Sequence, residues 1–169
     1  PGRTLLATLT ASTSASLSDT SSMTSSYYAY ELVCENLVPA TTNVAAQLQL
    51  QSGGTFQTSS YVATGVFSDS VGTGTDNQTA YIPLTRASSA TVSSTGAGYS
   101  GTIRIRNPSQ TTARKMVFSE GGAQTTANVL GGYSSRGFWD GGNGAITGFK
   151  FLFSAGNITS GTIKIYGIT

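Results

Sequence analysis

The chain has 169 residues, with Lys+Arg 9, Asp+Glu 7, His 0 and Cys 1, and a formal net charge of +2. Without His there is no Ser-His-Asp or Cys-His catalysis and no His metal site, and one Cys excludes an internal disulfide and any Cys-rich zinc or iron–sulfur centre. Basic residues scattered singly at so small a net charge exclude a phosphate-tracking surface, so no nucleic-acid partner is expected.

The length fits one domain that buries roughly 70% of its unfolded surface, enough for a core without staples. Hydrophobic residues make up 38%, and the low net charge argues against disorder. Ser and Thr fill close to a third of the chain, so solubility rests on hydroxyls, amides and backbone. Such a surface repels its own kind weakly and suits self-association. No stretch approaches the roughly 18 apolar residues of a membrane span, so no membrane insertion is expected. The start at Pro1 lacks a signal-peptide core, and the lone Cys34 fits synthesis in a reducing cytoplasm.

Residues 1–26 are Ser/Thr-rich and read as an extended strand or arm, with Leu9, Leu17 and Met23 as anchors. Residues 27–169 read as a single β-sandwich domain. Within it Tyr28, Tyr30, Leu32 and Cys34 share one face, with Glu31 and Glu35 on the other. Leu48 and Leu50 alternate with Gln47, Gln49 and Gln51, and Ile103 and Ile105 with Arg104 and Arg106. Phe149, Phe151 and Phe153 alternate with Lys150 and Leu152, and Ile163 and Ile165 with Lys164 and Tyr166. Each is the period-two pattern of a strand with one buried face. Glycine-rich turns such as Gly53-Gly54, Gly121-Gly122 and Gly131-Gly132 separate the runs. No long window carries a helical apolar period. The expected fold is all-β, a jelly-roll-like β-sandwich of about nine strands with little or no helix.

Chemistry is sparse. Glu31 and Glu35 share a strand face but lie about 13 Å apart at strand rise, beyond the spacing of a glycosidase pair. Asp69, Asp76 and Asn77 gather oxygens near a Gly-rich loop but lack calcium-loop spacing. Gly141-Gly142-Asn143-Gly144 precedes a strand pattern rather than a helix, so it is no phosphate cradle. Arg104, Arg106, Arg114 and Lys115 form the densest basic stretch and read as a solvated face. The most distinctive segment runs from Gly131 to Asn143 and holds the only Trp. Aromatic faces suit sugar C–H surfaces, and amides and carboxylates accept hydroxyl protons. Tyr133, Arg136, Trp139, Asp140 and Asn143 are therefore the candidate glycan contacts, against an alternative in which Phe138 and Trp139 plug the sandwich end. No catalytic residue, metal site or cofactor is expected.

The run Tyr27-Tyr28-Ala29-Tyr30-Glu31-Leu32-Val33, continued by Asn36 to Thr41, resembles a motif of small β-rich virion proteins of tailed bacteriophages. So do Leu48 to Phe56 and the ending from Ile146 through Ser154-Ala155-Gly156-Asn157-Ile158 to Ile168. The resemblance spans most of the chain and is weakest between Phe67 and Gly98. Ser52 departs from the family pattern, which often has Asp before the Gly53-Gly54 turn. The resemblance, to tail-fibre-like and head-fibre-like proteins, implies an all-β virion structural protein that forms homo-oligomers, often homotrimers, with other virion proteins as partners. It transfers no catalytic residues. The expectation is a non-enzymatic virion surface protein, assembled in the host cytoplasm, that serves as a fibre tip or spike binding host surface glycan. The alternatives are a capsid decoration protein stabilising the shell and a polysaccharide-degrading enzyme.

Overall fold

The computed structural model describes residues 2–87, 92–125 and 128–169; Pro1 lies outside them. The described residues form thirteen strands and no helix. In chain order they are β1 (Arg3–Thr10), β2 (Leu17–Asp19), β3 (Ala29–Pro39), β4 (Ala46–Ser52), β5 (Thr55–Phe56), β6 (Tyr61–Asp69) and β7 (Gly72–Gln78). They continue with β8 (Ile82–Pro83), β9 (Tyr99–Arg106), β10 (Val117–Gln124), β11 (Leu130–Trp139), β12 (Ile146–Phe153) and β13 (Ile158–Ile168). The excess over nine lies in β2, β5 and β8, which span three residues or fewer, and in β7, whose sequence GTGTDNQ has no apolar residue to alternate.

The strands form two antiparallel sheets of an all-β sandwich. The large sheet runs β1-β13-β3-β9-β10-β11-β6-β7, and the small one β2-β12-β4-β5 with β8 also on β4. Residues 1–26 supply an edge strand to each sheet: β1 pairs with β13 from Arg3↔Ile168 to Thr10↔Thr162, and β2 pairs with β12. Leu17 and Met23 are buried and Leu9 packs against the core.

The alternating runs face their apolar sides into the gap between the sheets. Leu48, Leu50, Phe149 and Phe151 of the small sheet are 0% exposed, as are Leu32, Ile103, Ile105, Ile163 and Ile165 of the large one. Tyr99 of β9 stacks on Phe151 of β12 across the gap, ring centroids 6.0 Å apart. Truncating a ring such as Phe151 would cost about 3–5 kcal/mol.

Two details depart from simple alternation. Tyr28 precedes β3 and is half exposed, whereas Tyr30 is buried and its hydroxyl donates to the Thr24 carbonyl at 2.9 Å. Gln47, Gln49 and Gln51 fall on the outer face of β4 yet are buried. The cause is the strand's central position. Lys150 of β12 reaches across β4 to the Phe56 ring of β5, its ammonium 4.7 Å from the ring centroid. Thr147 donates to Gln51 at 2.9 Å beneath this cover.

Candidate functional site

The Gly131 to Asn143 segment is divided by strand geometry. Along β11, Tyr133, Ser135 and Gly137 point inward, so Ser134 and Arg136 point out. Tyr133 is 4% exposed and its ring packs on Phe67 at 5.6 Å, inside the core. Trp139 packs against the core edge, and its indole lies so close over Gly141 that a side-chain carbon there would fall 2.1 Å from the ring. Asp140 and Asn143 are brought together in the loop beyond β11. Arg114 donates to the Asp140 carboxylate at 2.7 Å and to the Asn143 side-chain oxygen. Beside it the buried Lys115 donates to the Asn143 and Gly144 carbonyls. Desolvation, helped by the Arg114 charge, lowers the Lys115 pKa. This polar set is satisfied within the protein and clasps two loops. Of the five expected contacts, only Arg136 faces the open side of the large sheet.

That open side carries a more coherent constellation. Ile103 and Ile105 face inward on β9, so Thr102, Arg104 and Arg106 face out. Val117 and Ser119 face inward on β10, so Phe118 and Glu120 face out. Register then sets Glu31, Arg104, Phe118, Arg136 and Thr64 in one row across five strands. The adjoining row is Val33, Thr102, Glu120, Ser134 and Val66. The Arg106 guanidinium lies 5.6 Å from the Phe118 ring centroid, and Phe118 is 39% exposed.

Two depressions meet at Glu120. One, of about 280 Å³, is lined by Thr102, Arg104, Arg106, Phe118 and Glu120. The other, about 440 Å³, is lined by Val66, Ser68, Thr73, Glu120, Gly132 and Ser134. Gly132 opens its floor, since nothing stands within 4 Å of the place a side chain would occupy.

The charges complete the pattern. Four of the six arginines are ion-paired: Arg3 and Arg104 with Glu31, Arg86 with Asp69, and Arg114 with Asp140. Arg106 and Arg136 have no carboxylate partner among the described residues, and both flank Phe118. Among the described residues Glu120 is the one carboxylate without a hydrogen-bond partner, and it stands two residues along the same face. An exposed ring between cations, followed by a carboxylate flanked by hydroxyls, can stack on a sugar ring and accept its hydroxyl protons. Glu120 is the one carboxylate among the described residues that line the two depressions. No cluster of metal-ligating side chains occurs among the described residues.

Sequence reasoning missed Phe118 and Glu120 as contacts and read Arg106 as part of a solvated basic face. The available signal was phase: Phe118 sits between Val117 and Ser119, which take the inward positions, so an aromatic falls on the wet face of a strand beside the Arg104-Ile105-Arg106 alternation.

Comparison with known proteins gives no match: no family model, no curated protein and no solved structure is significantly similar to the chain.

Proposed function

We propose that the chain is a non-enzymatic bacteriophage virion surface protein, a fibre-tip or spike domain that binds host surface glycan across the outer face of its large sheet. The observation that supports this reading is the convergence of the exposed Phe118 with Arg106, Arg136 and Glu120, charged groups that take no ion pair among the described residues. An exposed ring and unpaired surface charges add little to stability, so their clustering on one face suits a contact surface. The virion assignment draws on the resemblance of the Tyr27 to Thr41, Leu48 to Phe56 and Ile146 to Ile168 segments to phage structural proteins. A shallow groove implies weak individual contacts. Repetition in a homotrimer would raise overall avidity by roughly 10²–10⁴ when the sites engage together.

Replacing Phe118 with Ala in virions should sharply lower host adsorption while the melting temperature of the purified protein stays within a few degrees. Unchanged adsorption would sink the groove as receptor site.

A second reading, capsid decoration, draws on the two ends of the large sheet. β1 and β7 each pair on one side only, which leaves backbone groups to bind a neighbouring shell subunit. Particles stripped of the protein should then lose heat resistance and keep adsorption, and the protein should be present in hundreds of copies per virion.

A further inference from the structure

Resting on the glycan reading above, we infer that the ligand of the large-sheet groove is an acidic polysaccharide, with uronate or sialate units whose carboxylate sits between Arg106 and Arg136 above the Phe118 ring. The placement follows from the register. Arg136 is the direct partner of Phe118 on β11, and Arg106 lies over the ring from β9. A group resting at the Phe118 position is therefore flanked by an arginine on each neighbouring strand. Guanidinium presents a planar fork of donors that matches carboxylate and stays charged at every working pH. Both forks are available, because neither side chain is committed to a carboxylate among the described residues.

The rest of the groove argues for a sugar polymer rather than a bare anion. Glu120 is about 7 Å further along β10 at strand rise, flanked in register by Thr102 and Ser134. A carboxylate there repels a second anion and accepts hydroxyl protons, so it selects a unit rich in hydroxyls next to the charged one. Beyond it the open floor at Gly132 beside Val66 admits a further ring. The sequence of surfaces is thus cationic and aromatic, then hydrogen-bond accepting, then open and apolar.

The test is binding of the purified full chain to polygalacturonate, alginate and polysialic acid, to the same polymers after carboxyl reduction, and to dextran and dextran sulfate. The expected result is that at least one carboxylate polymer binds and that its reduced form binds at least about tenfold more weakly. Arg106→Gln and Arg136→Gln should each weaken binding about tenfold, the loss of one charge-assisted pair, with unchanged melting temperature. Arg136→Lys should retain part of the affinity, and Asp140→Asn all of it. Neutral polymers bound as well as acidic ones would overturn the acidic class and leave the glycan reading standing. Dextran sulfate bound as tightly as the carboxylate polymers, or binding that survives both Arg substitutions, would also overturn it. No binding to any polymer would remove both readings.

Discussion

The Arg86 guanidinium donates to the Asp69 carboxylate at 3.0 Å, and the Asp69 side chain is 0% exposed. Arg86 also donates to the Gly72 carbonyl at 2.6 Å, which ties the segment after β8 to the β6–β7 hairpin. Asp76, which together with Asp69 suggested cation ligands by sequence, accepts from Gln78 and from the Ala87 backbone at 2.8 Å each. These acids hold a loop. Removing one partner of a buried pair leaves a desolvated charge, at about 3–5 kcal/mol. Asp69→Asn should therefore lower stability by an amount in that range, seen as a reduced midpoint in urea. Asp140→Asn at the half-exposed Arg114 pair should cost about 1 kcal/mol or less.

Burial sets the response to alkali. It pushes the Tyr61 hydroxyl up to about 12, and raises Tyr99 and Cys34 well above their ordinary values. These groups ionise first in the unfolded chain, from about pH 9 for the thiol and pH 10 for the phenols. Above those values the unfolded state binds fewer protons, so stability falls as pH rises. Melting temperature should be flat from pH 6 to 8.5, since no His titrates there, and should decline from pH 9 to 11. Cys34→Val should delay the onset of that decline. At the acid end, hydrogen bonding and charge from Lys164 lower the Glu35 pKa, so that pair's small contribution is lost as pH falls through the carboxylate range.

The apolar frame was readable because alternation is a direct record of burial. Tyr30-Leu32-Cys34, Ile103-Ile105 and Phe149-Phe151-Phe153 all face the core. What escaped reading depends on neighbours distant in sequence. Gln49 and Gln51 look solvated until Lys150 and Phe56 close over β4. β7 has no pattern of its own and takes its form from hydrogen bonds to β6. The Gly131 to Asn143 segment has a binding composition, but β11 turns Tyr133 inward and its following loop satisfies Asp140 and Asn143 internally. Glycines marked as turns prove in places to be seats for rings within strands, as at Gly121 under Tyr99 and Gly131 under Tyr133.

A seat closed by backbone as well as a ring is the Gly101↔Gly121 pair beneath Tyr99. A side-chain carbon at Gly121 would lie 2.7 Å from the Ser100 carbonyl oxygen and 2.8 Å from the Tyr99 ring. Tyr99 cannot yield, because its other face stacks on Phe151 and its hydroxyl bonds Ser119 at 3.2 Å. Gly121→Ala should destabilise by about 1–3 kcal/mol, the cost of overpacking, and lower the melting temperature by several degrees. Gly132→Ala, on the open floor of the groove, should leave stability nearly unchanged and weaken polysaccharide binding. The pair of variants separates packing from ligand contact with the same added methyl group.

Glu31 neutralises part of the groove from its neighbouring strand. It accepts from Arg104 at 2.7 Å and pairs with Arg3 at 3.1 Å, and Arg3 lies 3.7 Å over the Tyr166 ring. Arg104 lines the depression beside Phe118 with its charge already matched. Glu31→Gln removes that match while keeping the side chain's size and a polar oxygen. The exposed guanidiniums limit the stability cost to about 1 kcal/mol. The groove gains a third available cation, and one added charge at contact distance is worth about 1 kcal/mol in water. Affinity for the acidic polymer should rise by a factor of about three to ten at low ionic strength, with a steeper salt dependence. Affinity for neutral dextran should not change. An unchanged or lower affinity for the acidic polymer would mean that Arg104 does not face the ligand, and would confine the anionic seat to Arg106 and Arg136.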